Sequence, residues 1–153
     1  MARMNRNQAI GTSFRLEIPG LEEFNYFVQS AELPGISMMG VDTPYQQYGL
    51  SVPSNRIEYE TCNIAFLVDE EYKNYDQIRL WMHEIRATEP VLDTLKDVTL
   101  HVMTTNKTQM MGVKFIGSYP TMLSAIPLES SVVDAMPIVC NMTLRYQIFD
   151  FIR

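Results

Sequence analysis

From Ile138 to Ile148 the chain alternates: Ile138, Cys140, Met142, Leu144, Tyr146 and Ile148 are apolar, while Asn141, Thr143, Arg145 and Gln147 between them are polar. A period of two puts successive side chains on opposite faces of a strand, so the run predicts one long strand with a core face and a wet face. Typical strands hold about 5–6 residues. A strand roughly twice that length predicts a tall sheet or barrel wall, which suits a structural assembly better than an active site.

The rest of the chain extends that pattern. Phe14-Arg15-Leu16-Glu17-Ile18 alternates and stops at Pro19-Gly20, which reads as a first strand and a turn. A second strand is expected from Phe24 to Ala31, ended by Leu33-Pro34-Gly35. The stretch Ile36 to Pro53 carries Gly40, Pro44, Gly49 and Pro53 among Tyr45, Gln46, Gln47, Tyr48, Leu50 and Val52. It predicts a long loop or projecting hairpin with too little alternation for a core. Glu60 to Val68 resumes clean alternation, with Cys62, Ile64, Phe66 and Val68 on one face.

Asp69-Glu70-Glu71 is then expected to open a helix, because acidic residues favour the positive end of the helix dipole. Tyr75, Ile78, Met82 and Ile85 recur at three- and four-residue spacing through Arg86, and Pro90 ends the segment. Val98 to Thr104 and Val113 to Tyr119 predict two more strands, joined by the polar turn Asn106-Lys107-Thr108. Strands, one helix, then strands again imply a mainly β fold: an antiparallel β-barrel or sandwich with one flanking α-helix.

The 153 residues fit a single domain spanning 1–153, and 46% hydrophobic with 20% charged content excludes a disordered chain. No apolar run approaches the roughly 18 residues of a membrane-spanning helix, and Met1 to Gln8 is polar with no apolar segment after it. The expectation is a protein that stays in the cytoplasm where it is made, without membrane insertion. The net charge of -6 opposes a cationic grip on nucleic acid. It would suit a conduit through which DNA slides, and solubility alone also accounts for it.

Catalytic constellations are missing from the sequence. His83 and His101 have no third ligand at metal spacing, and there is no HExxH, Cys-x-x-Cys, nucleophile elbow or P-loop. Cys62 and Cys140 both fall on apolar strand faces, where they behave as small buried hydrophobes. Asp69-Glu70-Glu71 is accounted for by its place before the helix, and the eleven methionines by core filling. No enzyme and no cofactor is expected.

The order of motifs carries a resemblance. A strand leading into Ala31-Glu32-Leu33-Pro34-Gly35-Ile36 is followed by an extended hairpin through Arg56 and a strand entering Asp69-Glu70-Glu71. A Trp81-bearing helix, Gly117-Ser118-Tyr119-Pro120-Thr121-Met122-Leu123 and a long final strand complete the order. Together, over roughly residues 13 to 152, these resemble the tail tube protein of contractile-tailed phages.

The resemblance implies a structural virion protein, located in the tail and assembled in the host cytoplasm. Its subunits would form stacked hexameric rings, with strands of all copies joined into an inner barrel around a channel. Its partners would be further copies of itself, the tail sheath, baseplate and tape-measure proteins, and genomic DNA passing without specific binding during ejection. Residues 1–12 would be an N-terminal arm and 36–56 the projecting arm, with Leu33, Pro34, Gly35, Ile36, Tyr45, Tyr48 and Arg56 as candidate inter-subunit contacts. Gly117 to Leu128 would close the barrel beside the helix. The same fold serves baseplate tube initiators and type VI secretion tube proteins, so these roles stay open, as does a monomeric β-barrel that binds an apolar ligand.

Overall fold

The computed structural model describes residues 11–104, 106, 108–131 and 134–152. The expected N-terminal arm, apart from Gly11 and Thr12, and Lys107 of the expected turn lie outside the described residues. The elements run β1 (Phe14–Glu17), α1 (Glu22–Tyr26), β2 (Val28–Ala31), β3 (Ile36–Tyr45), β4 (Tyr48–Tyr59), β5 (Cys62–Leu67), α2 (Lys73–Ala87), β6 (Lys96–Met103), β7 (Gln109–Leu123), β8 (Val139–Arg145) and β9 (Ile148–Ile152). A 3-10 turn, Val91–Thr94, links α2 to β6.

All pairings are antiparallel. Six strands follow the order β1-β6-β7-β8-β5-β2, and β9 joins as a further neighbour of β7. The fold is therefore mainly β, as the alternation predicts, but it is not a closed barrel: β1 and β2 end the sheet without pairing to each other. Glycine and serine at 117–118 explain how one sheet forms two leaves. Val113 and Phe115 point into the core before Gly117, and Ser118 and Pro120 do so after it. Gly117 turns the strand at φ +66°, a conformation that side chains with a Cβ disfavour. Strands that bend in this way make the corners of sandwiches.

The expected single strand Ile138 to Ile148 bends at the same corner. Arg145 pairs with Tyr119 and Ile148 with Ile116, so β8 and β9 flank one partner. Between them the alternation changes phase: Tyr146 is buried, Ile148 exposed and Phe149 buried. The long strand is thus two strands, and the 15-residue β7 is the longest element of the sheet.

One core lies between the leaves. It gathers Leu16, Val98, Leu100, Val113 and Phe115 from one leaf, and Cys62, Ile64, Phe66, Cys140, Met142 and Leu144 from the other. Ile78 and Trp81 of α2 enter the same core, and the Trp81 indole donates to the Thr94 carbonyl at 3.1 Å. Each fully buried Leu, Ile or Phe of this set contributes about 1.5–3 kcal/mol relative to exposure.

Two further readings change. The strand expected from Phe24 is half helix, because Glu22 and Glu23 occupy the first turn of α1 while Leu21 and Phe24 are buried. Phe24 meets Phe66 edge-on at 4.7 Å. The acidic triplet 69–71 precedes α2 rather than opening it, and Tyr72 takes the cap position at φ 59°. The buried Asn74 fixes the helix start: its side-chain oxygen accepts from Tyr75 N–H at 2.8 Å and Asp69 N–H at 3.3 Å, while its amide donates to the Leu67 carbonyl. No helix among the described residues is long and apolar enough to cross a membrane.

Candidate assembly surfaces

β3 and β4 form a separate two-stranded sheet. At about 3.3 Å per residue, the ten residues of β3 carry the ribbon roughly 30 Å from its root. Every residue from Gly35 to Pro53 is exposed. Tyr45 pairs with Tyr48 across a two-residue turn, in which Gln46 sits at φ 47°. The register shifts once, between Met38 and Gly40, where Ser54 Oγ both accepts from Arg56 N–H and donates to the Arg56 carbonyl at 3.3 Å.

The residues expected to make inter-subunit contacts separate into three places. Leu33, Pro34 and Gly35 line an open cleft of about 520 Å³ at the hairpin root, together with Glu32, Tyr59, Glu60, Thr61, Asn63 and Arg145. Pro34 is buried, whereas Leu33 is 48% and Ile36 54% exposed. Tyr45 and Tyr48 sit at the far tip, 62% and 77% exposed. Arg56 lies at the register shift, its guanidinium 3.6 Å from the Glu58 carboxylate. Root and tip cannot therefore touch the same spot on a partner.

The cleft is polar by construction. A Cβ on Gly35 would stand 2.8 Å from the Glu60 carboxylate, so glycine lets that carboxylate lie against the backbone. Behind it, Tyr146 donates its hydroxyl to the Glu60 carbonyl at 2.8 Å and packs with Tyr59, Phe115 and Phe149. Burial first, then the neighbouring Cys62, Tyr59 and Glu60, pushes the Tyr146 phenol well above its ordinary range. This hydroxyl stays neutral and acts as a fixed donor.

From the cleft, a polar ladder crosses the outward face of the leaf that contains β5 and β8. Asn63 donates to Glu32 at 3.1 Å, Thr143 donates to Asn63 at 3.2 Å, and Thr121 donates to the Thr143 carbonyl at 3.3 Å. Ser30 and Asn141 complete this exposed strip, with charge confined to Glu32 and Arg145. Among the described residues no group of three or more His, Cys, Asp and Glu side chains is placed to hold a metal. His101 instead meets Glu17 across β1 and β6 at 3.2 Å, and Cys62 and Cys140 are free and buried.

The chain has long antiparallel strands, sheet edges left open among the described residues and an exposed ribbon, and a family model gives them a context. The model of the phage tail tube protein matches residues 2–151. The chain belongs to the phage tail tube protein family. It is accordingly a structural component of a phage tail. It is 27% identical to the tail tube terminator protein of Enterobacteria phage T4 over 94% of this chain and 88% of that protein.

Two solved structures share the fold of this tail tube family member at low identity. The tube-terminating cap of the anti-feeding prophage aligns with a TM-score of 0.71 at 13% identity, over 99% of this chain and 95% of that one. The sheath/tube terminator of an extracellular contractile injection system, PVC, in its extended state aligns at 0.71 with 15% identity, over 97% and 99%.

Sequence reasoning missed Val41, Leu50 and Val52, which the register places on one face with the two tip tyrosines. It also missed Glu32, Glu60 and Arg145 of the cleft. The hairpin signal was present as alternation in Val41-Asp42-Thr43-Pro44-Tyr45 and Tyr48-Gly49-Leu50-Ser51-Val52. The cleft residues carry no local pattern, because the fold brings them together from three separate segments.

Proposed function

We propose that this chain is a tail tube terminator: six copies form a ring that caps the tube, in place of the repeating rings along its length. The likeness to a terminator over nearly the whole of both chains carries this reading. Physical chemistry supports a ring. Sheet edges with unpaired N–H and C=O groups invite further strands, and closure among copies removes that liability. The hairpin, with the root residues 33–36 and the tip tyrosines, reaches the neighbouring copy or ring.

The channel of such a ring conducts DNA without holding it. The exposed strip of Ser30, Asn63, Thr121, Asn141 and Thr143 offers hydrogen bonds but no row of cations, and the net charge is -6. Phosphates passing such a wall release no bound counterions, so nothing anchors the genome. The family model favours a second reading, the repeating tube subunit itself.

Polymerisation separates the two. The purified chain is mixed with the tube subunit of the same phage and followed by negative-stain microscopy. A terminator gives discrete rings alone and shortens tubes at substoichiometric amounts. Long tubes from this chain alone would establish the repeating subunit instead. A strict monomer without effect on tube length would end both readings, and salt-sensitive DNA binding by the rings would end the conduit.

A further inference from the structure

We propose that the apolar face of the β3–β4 hairpin of one copy docks along the open edge of β9 in a second copy. This rests on the reading that copies of the chain assemble, and it names the acceptor of the hairpin.

The hairpin is two-faced. Residues that pair across an antiparallel ribbon share a face, so Val41 with Val52, Thr43 with Leu50 and Tyr45 with Tyr48 form one side. Gly40 with Pro53, Asp42 with Ser51 and Pro44 with Gly49 form the other. The first side is apolar and uncharged, yet Val41, Leu50 and Tyr48 are 55%, 54% and 77% exposed. Its six side chains present roughly 600 Å², most of the ~800 Å² per partner that a stable interface uses.

β9 has the complementary defect. Among the described residues it pairs with β7 and with no other strand. Ile148 and Ile152, which flank Asp150 on one face, are 39% and 46% exposed with Ile116 opposite Ile148, and Phe151, on the other face beside Phe149, is 50% exposed. An apolar open edge of this kind is a template for strand addition, by main-chain pairing along the edge and side-chain packing beside it. The single charge of β9, Asp150, lies opposite Lys114 of β7, whose ammonium stands 3.5 Å from the Asp97 carboxylate.

The two surfaces are different patches of one chain, and every residue from Gly35 to Pro53 is exposed, so neither covers the other within a copy. Contacts between unlike patches propagate from copy to copy and close into rings or extend as stacks. A second copy therefore supplies what each surface lacks.

Photo-crosslinking tests this. Tyr48 is replaced by benzoyl-phenylalanine, and the assembled protein is irradiated as an equal mixture of isotope-labelled and unlabelled chains. Trypsin cuts after Arg145, so β9 is read in the fragment 146–153. The expected result is mixed-label adducts between position 48 and that fragment, reduced at least tenfold by Phe151→Asp or by Ile152→Asp while the monomer melt holds. Adducts that map elsewhere in fully assembled protein overturn the proposal and leave the ring reading standing. A protein that stays monomeric at every concentration overturns both.

Discussion

Leu144→Ala and Leu50→Ala remove the same atoms from two strands, and the fold assigns them opposite consequences. Leu144 is 0% exposed, so its truncation leaves a cavity and costs about 2–5 kcal/mol of folding stability. For a chain of this size 1 kcal/mol shifts the melting temperature by roughly 2–4 °C, so the melt should fall by about 10 °C. Leu50 is 54% exposed on a ribbon outside the core, and its truncation should stay within about 0.5 kcal/mol for the monomer. Docking, however, would bury what remains exposed. Full burial of a leucine is worth about 1.5–3 kcal/mol, so the half still available is worth about 1 kcal/mol per contact, roughly a fivefold loss in association constant. Thermal melts at low concentration read the first effect, and sedimentation velocity across a concentration series reads the second. Equal losses of folding stability would mean that the hairpin belongs to the core. An unchanged association constant for Leu50→Ala would remove the apolar ribbon face from the interface.

Three further outcomes follow from the same geometry. Gly117→Ala should cost about 1–2 kcal/mol, because φ +66° is disfavoured by a Cβ and the new atom would stand 2.9 Å from Gln147 Cγ; a neutral urea midpoint would show that the corner does not depend on glycine. Asn74→Ala should cost about 3 kcal/mol in urea melts, since it leaves buried partners unsatisfied at the start of α2, and a loss under about 1 kcal/mol would contradict that pinning role. Neither thiol should react with an aromatic disulfide reagent at pH 8 until the chain is unfolded, because both are buried and burial pushes Cys62 up to about 12; rapid native labelling would place one of them at the surface.

Elements with an internal face pattern were legible in the sequence. β1, β5, β6 and α2 announce themselves by period, and Cys62, Ile64, Phe66, Cys140, Met142 and Leu144 are all core residues as the alternation requires. The failures share a cause: local pattern does not see tertiary bends. Gln147 interrupts no alternation on paper, yet the corner at Gly117 forces the paired strand to change faces, so that Phe149 goes inward and Ile148 outward. α1 was hidden because five residues are too few for a helical period to stand out from a strand. Its sequence reads as the start of β2 until Leu21 and Phe24 are seen to close the core beside Phe66.

The exposed ribbon was half legible for a deeper reason. Alternation reports that a strand has an apolar face; it does not report which molecule covers that face. Val41 to Tyr45 and Tyr48 to Val52 carry the same pattern as the buried strand β5, and nothing local separates an apolar face that the chain's own core covers from one that it leaves exposed. Glycines and prolines in the ribbon read as a segment outside the core, and for that reason they mask its two-faced character. The distinction becomes visible only when the core is complete without the ribbon. Phe115, Tyr146, Phe149 and Tyr59 close the corner among themselves, and the described residues leave Leu50 and the tip tyrosines uncovered. Their apolar surface is a demand that folding leaves unmet and that the proposed docking between copies would satisfy.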